Sequence, residues 1–275
     1  MDNAIIFMDD ELLELDGISN ERKDWLTYTY NGTPVPRVSH ILSQCRDNEW
    51  LVNWAAVVGK SKVDYYREKA CTIGSIAHEI IENYLITKYK PSLGTNVPVI
   101  EYADIDSEYR ASVYNSVENF KLWEKRLNES FGCQIEDIFG FEIPIITPWY
   151  GGTIDGIIKI NGLWYIIDFK TSKEIDPSYI LQTAAYLWGV SNGFLENAPE
   201  ISGIGIIRVD KKAYGKIDDL FLNKFDPYQL SMLDNAMKCF GSYVNAYYRS
   251  KSIDYTVNKY HKEYEPIKVF LSTIP

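Results

Sequence analysis

No apolar run in this chain approaches the roughly 20 residues needed to cross a bilayer. The longest, such as Ile204 to Ile207 and Leu163 to Ile167, are far shorter, so no membrane span is expected. Cysteine is scarce and scattered: Cys45, Cys71, Cys133 and Cys239 form no C-x-x-C pair, which argues against a zinc site or an iron-sulfur cluster. Four isolated thiols fit a reducing cytoplasm, that of the host cell if the chain is viral. Positive charge is also short. With 28 lysines and arginines against 38 acids the net charge is −10, which excludes broad, non-specific adhesion to phosphate polymers. Any contact with nucleic acid has to be local. Asp9, Asp10, Glu11, Glu14 and Asp16 precede the first basic residue, Arg22, the wrong charge for a signal or transit peptide. Low-complexity tracts and Pro/Ser/Gly-rich linkers are missing as well, so residues 1–275 read as one domain.

What is present is an ordinary globular composition, 46% hydrophobic and 24% charged, able to bury a sizeable core. Residues 1–130 read as mainly helical. Asn31-Gly32 between β-prone residues signals a tight hairpin, and Ser39 is placed to cap the helix that follows. Ile41, Leu42, Trp50, Leu51, Trp54, Val57 and Val58 suggest two helices between Ser39 and Lys69, with the tryptophans in the core. Ile73, Ile76, Ala77, Ile80 and Tyr84 recur every three or four residues, predicting a helix over Thr72 to Lys88 with His78 and Glu82 on its flank. A loop from Pro91 to Pro98 and a helix over Ser107 to Ser130 follow. Residues 131–225 then turn to strands, near Ile138 to Ile145, Thr153 to Ile160 and Leu163 to Phe169. A helix over Asp176 to Gly189 and strands at Ile204 to Val209 and Leu220 to Phe225 complete this part. Residues 226–275 form a final helix and tail, opened by Asp226-Pro227.

The chemistry concentrates between Thr153 and Lys170. Asn161-Gly162 is the strongest short-range signal for a two-residue turn. Counting outwards from Ile160 opposite Leu163 sets Asp155 opposite Asp168, in a close, non-hydrogen-bonded pair with about 4.5–5.5 Å between Cβ atoms. Lys170 falls on the face of Asp168 by the period of two. Two carboxylates so placed repel by about 4 kcal/mol at an effective dielectric of 20. A divalent cation offsets that repulsion, because Mg²⁺ takes one or two carboxylates, keeps several waters and completes its shell with substrate phosphate. Lys170 is then placed to orient or deprotonate the attacking water and to stabilise developing negative charge. The tripeptide alone is weak, as Asp210-Lys211-Lys212 shows, and a lysine bridging two surface acids is the bland alternative. Gln182 and Tyr186 follow at i,i+4 and project together from the next helix.

The series His78, Glu142, Gly152-x-x-Asp155, Asp168-x-Lys170 and Gln182-x-x-x-Tyr186 resembles the PD-(D/E)XK nuclease superfamily in its RecB-like branch. Pro36 to Leu42, the Leu51/Trp54-Ala55 helix and Gly74 to Glu82 are similar to phage-encoded exonucleases and the mitochondrial genome maintenance exonuclease. The likeness covers roughly Thr33 to Val209. It implies an α/β fold, a central mixed β-sheet flanked by helices around a restriction-endonuclease-like core, with an N-terminal helical elaboration. It further implies Mg²⁺ or Mn²⁺ held by His78, Asp155, Asp168 and the main-chain carbonyl of Phe169. Glu142 is a further candidate ligand, and Gln182 and Tyr186 would position substrate or the lysine. Ile154 stands where the eponymous proline would be, and the cysteines of cluster-bearing relatives are missing, so no iron-sulfur cluster is expected. Gly59-Lys60-Ser61 lacks the first glycine of a phosphate-binding loop, with Trp54 in its place, so any helicase or recombination partner is a separate chain.

The expected activity is metal-dependent hydrolysis of DNA in replication, recombination or repair, with an exonuclease on single strands or free ends implied by the resemblance. A structure-selective endonuclease and a catalytically silent nuclease fold acting as a binding protein are the alternatives. Glu79 and Glu82 are open between function and a solvated helix face. The 21 tyrosines invite base stacking, although most belong to core or ordinary surface. Lys211, Lys212, Lys216, Arg249 and Lys251 are candidates for a strand path or for a solvated rim.

Overall fold

The computed structural model describes residues 28–45, 49–93 and 100–263; the side chains of 49–51 and 255–263 lie outside the description. The acidic run from Asp9 to Asp16 and the end of the Pro91 to Pro98 loop are likewise outside it.

Asn31 and Gly32 both adopt positive φ (47° and 82°), and the hairpin they close pairs β1 (Tyr28–Tyr30) with β2 (Thr33–Val35). Three helices follow: α1 (Val38–Cys45), α2 (Glu49–Val58) and α3 (Lys60–Tyr89). The expected pair between Ser39 and Lys69 is thus two helices plus the first turns of a third. Ser39 lies inside α1 and does not cap it. Trp54 is not core either. It is half-buried and packs on Tyr66, because α2 covers only the outer end of α3. Within α3 the buried stripe is Ile73, Ala77, Ile81 and Leu85, a strict i,i+4 row.

Asp106 caps α4 (Ser107–Phe131), accepting the Glu108 N–H at 2.9 Å, and Gly132 ends it in the left-handed conformation at φ 63°. Then come β3 (Ile135–Ile146), β4 (Gly151–Ile160), β5 (Leu163–Lys170), α5 (Pro177–Ser191), β6 (Ile201–Val209), β7 (Ile217–Asn223) and α6 (Pro227–Glu263). The strands form one five-stranded sheet in the order β3-β4-β5-β6-β7. All neighbours are antiparallel except β5 and β6, which run parallel and are joined through α5, as a parallel pair requires a crossover. The fold is therefore α/β, a central mixed sheet flanked by helices.

Two apolar layers hold it. On one face α1, α5 and α6 meet the sheet through residues such as Ile41, Leu187, Phe240, Ile154 and Ile166. On the other, α3 and α4 pack Ile81, Phe120 and Trp123 against Ile158, Ile167 and Ile207. Asp226 caps α6 through the N–H groups of Tyr228 and Gln229 at 2.9 and 3.0 Å. Asp226→Ala is expected to cost about 1 kcal/mol of stability, read as a lowered urea midpoint with unchanged slope. No helix among the described residues is long and apolar enough to cross a membrane.

Candidate active site

The register predicted from the Asn161-Gly162 turn is the one found, from Ile160↔Leu163 to Gly156↔Ile167. There the ladder stops. At the next position Asp155 uses its side chain where a backbone acceptor would stand, taking the Phe169 N–H on Oδ2 at 2.9 Å. Asp168, level with Asp155, is 1% exposed and accepts a 2.5 Å hydrogen bond from Lys170 Nζ on Oδ1. Its Oδ2 is buried without any partner. An unpaired buried carboxylate oxygen is costly, and here it points to a missing positive ligand.

From the other layer, α3 brings His78, whose Nδ1 lies 3.8 Å from Asp155 Oδ2 and whose ring packs edge-on to Phe169. His78 also hydrogen-bonds to the Phe169 main chain. Burial, helped by the nearby Lys170 ammonium, lowers its pKa to about 4, so the imidazole is neutral and keeps a lone pair for a ligand. Burial pushes Asp168 up to about 6 against the pull of Lys170, and it raises Asp155 too. Burial opposes the charge on Lys170, but Asp168 and Asp155 outweigh it and hold the ammonium above its ordinary value. The Lys170 ammonium also faces the ring of Tyr179, 5.0 Å from its centroid.

A third carboxylate completes the row. The pairs Phe141↔Gly156 and Ile143↔Ile154 set Glu142 level with Asp155, so acids on β3, β4 and β5 stand side by side. Glu142 has φ 48°, a left-handed conformation within a strand. It hydrogen-bonds to Glu82 of α3. Burial, then Glu142 and Asp155, push Glu82 up to about 8, so Glu82 carries the shared proton. Glu82 therefore belongs with the site, which its helical spacing alone left open; the solvated reading of a helix-flank acid does not apply to it.

Gln182 Nε2 donates to Tyr186 Oη at 3.2 Å, as their i,i+4 spacing predicts. Tyr186 is buried beside Asp168 and Asp155, and a Cβ at Gly152 would lie 2.4 Å from its ring, so Gly152 makes room for it. Two neighbours were not anticipated. Tyr28 hydrogen-bonds through Oη to Thr153 Oγ1 at 2.6 Å, two residues from Asp155. Arg208, opposite Lys170 on β6, is fully buried, donates to the Ser172 carbonyl at 3.1 Å and is flanked by Asp210 and Asp218, which fixes the chain just beyond Lys170. Both arise from long-range contacts that local pattern does not encode.

Among the described residues no three His, Cys, Asp or Glu side chains converge into a ready cage for a metal ion. The donors nearest to such an arrangement, without closing into it, are Asp155, Asp168 with its free Oδ2, neutral His78 and the Phe169 main chain. That set fits Mg²⁺ or Mn²⁺, which need few protein ligands and retain water. No protein-family model matches the chain, and no curated protein matches it.

Proposed function

We propose that the chain is a metal-dependent nuclease that hydrolyses DNA phosphodiester bonds. The observation that carries this reading is the grouping of Asp155, Asp168, Lys170 and His78 in one buried cluster, with one oxygen of Asp168 left unsatisfied. Surface acids bridged by a lysine would be solvated and paired; here Asp168 is sealed from water with one oxygen left over.

Asp155, Asp168, His78 and the Phe169 carbonyl would hold Mg²⁺ or Mn²⁺, which lowers the pKa of bound water and offsets charge on the scissile phosphate. Lys170 works as the ammonium. It is too well paired to be deprotonated near neutral pH, so it orients the attacking water and faces the negative charge that builds on the phosphoryl oxygens, without acting as a base. Asp168 anchors Lys170 at 2.5 Å, and the Tyr179 ring lies against the ammonium. Tyr186 lies beside the two carboxylates from α5 with Gln182 bonded to it, and the pair positions the carboxylates or the substrate. The exonuclease mode, acting on single strands or free ends, follows the resemblance to RecB-like nucleases.

The test uses end-labelled linear single-stranded DNA and a closed single-stranded circle, each with Mg²⁺, Mn²⁺ or EDTA. Loss of the linear strand alone, only with metal, is the expected result. Cutting of the circle would make the enzyme an endonuclease. No metal-dependent cleavage of either would overturn the hydrolytic reading in favour of a binding protein.

A further inference from the structure

The net charge of −10 leaves open how a phosphate polymer reaches this site. An acidic surface repels DNA everywhere except where cations are locally concentrated and left unpaired. One such place adjoins the site. Helix α3 runs unbroken from Lys60 to Tyr89 and holds His78 at the candidate centre. At 100° per residue, Lys60 and Arg67 fall in line with His78 on one face, about 27 and 16 Å from it at 1.5 Å per residue. Both are exposed, and among the described residues neither makes an ion pair; Asp64 is the acid on that face.

Between Arg67 and His78 a second element meets the same face. Lys211, in the loop after β6, lies close enough to Cys71 of α3 for the two to interact electrostatically. That loop is built, not slack. Asp210 accepts the N–H groups of Lys212 and Ala213 at 2.7 and 2.9 Å, while Asn119 bonds the carbonyls of Asp210 and Ala213. Asn115 adds longer contacts to the carbonyls of Lys211 and Lys212 at 3.4 Å. Lys211 and Lys212 are thus held side by side, and no carboxylate among the described residues lies within ion-pair distance of either.

We infer that a single strand of DNA reaches the site along the N-terminal half of α3, its phosphates on Lys60, Arg67 and Lys211. This rests on the nuclease reading and adds the direction of approach. A single strand fits better than a duplex because the cations follow one line along the helix, as one phosphate backbone does. No other part of the helix offers the same, since Lys62 lies on the opposite side of α3.

The experiment measures binding of a linear strand of about 30 nucleotides in EDTA across a salt series, alongside cleavage with metal. Lys60→Glu with Arg67→Glu, both exposed, is expected to weaken binding at least tenfold and to reduce the salt slope by about 1.4. Lys62→Glu, on the far side of the same helix, is the control and changes binding less than twofold. Cleavage of the long strand falls through KM, while a short oligonucleotide that spans only the centre is cut as before. If the Lys60/Arg67 variant behaves like Lys62→Glu while wild-type cleavage persists, the path is overturned and the nuclease reading stands. If binding falls as expected but no variant or wild type cleaves with any metal, the path stands and the nuclease reading falls.

Discussion

Lys170→Ala is expected to lower metal-dependent cleavage of single-stranded DNA by a factor on the order of 10³, and Asp168→Asn by at least as much. The lysine is sealed beside two carboxylates and held 2.5 Å from one of them, so no solvent cation can replace it in that geometry. Asp168 has a double role, anchoring that ammonium on Oδ1 and presenting Oδ2 for a ligand. Each single change leaves a buried charge without its partner, which can unfold a protein outright. Asp168→Asn with Lys170→Met removes both charges at similar volume and separates the two effects. The double variant should fold, with a native circular dichroism spectrum, and be inactive. A folded Lys170→Ala protein that keeps more than a tenth of the activity would remove Lys170 from the chemistry.

Without metal, the protein should be less stable at pH 9 than at pH 6. The folded protein raises Asp168 from 3.8 to about 6 and Glu82 from 4.5 to about 8, with Glu142 and Asp155 also raised. Groups whose pKa is raised on folding contribute stability that is complete below their unfolded values and disappears as the pH climbs through the folded ones. His78 has the opposite sign: lowered from 6.5 to about 4, it removes stability as the pH falls through that range. Together Asp168 and Glu82 outweigh His78, so stability already declines with pH below 6, and the loss between pH 6 and 9 comes chiefly from Glu82. After discounting for the solvent that reaches Glu82, that loss is on the order of 2 kcal/mol, or roughly 5 °C in Tm for a chain of this size. Saturating Mn²⁺ should recover most of it at pH 9 and little at pH 6. Equal melting temperatures at both pH values in EDTA would mean that the acids are not held together as described.

How much of this was legible beforehand depended on the range of the contact. Asn161-Gly162 admits one tight turn, so the register that sets Asp155 level with Asp168 could be counted from the sequence, and Lys170, Gln182 and Tyr186 followed by periodicity. What the count missed is that the ladder ends at Gly156 and Ile167, freeing Asp155 to take the Phe169 N–H. That divergence depends on a third strand and on α3, whose contacts leave no periodic trace. Glu82 was ambiguous for the same reason: its spacing shows a helix flank, whereas its meaning comes from Glu142, sixty residues later. The misplaced tryptophan has a related cause. Trp54 has core composition but belongs to a helix that lies against the outer end of α3, beyond the sheet.

The two borders of the sheet bear on how copies of this protein can meet. Strand β7 carries the exposed Asp218 and Asp219 next to each other, one on each face of the rim. At the other border β3 is broken by two irregularities in register, carries Glu142 in a left-handed conformation and contains Pro144, which has no N–H to donate. Neither rim presents the long, flat, uncharged row of donors and acceptors that a stray strand needs for growth by edge-to-edge addition. Misfolded or neighbouring chains therefore find no template in the native sheet, and self-association, where it occurs, must proceed through side-chain surfaces on the helical layers.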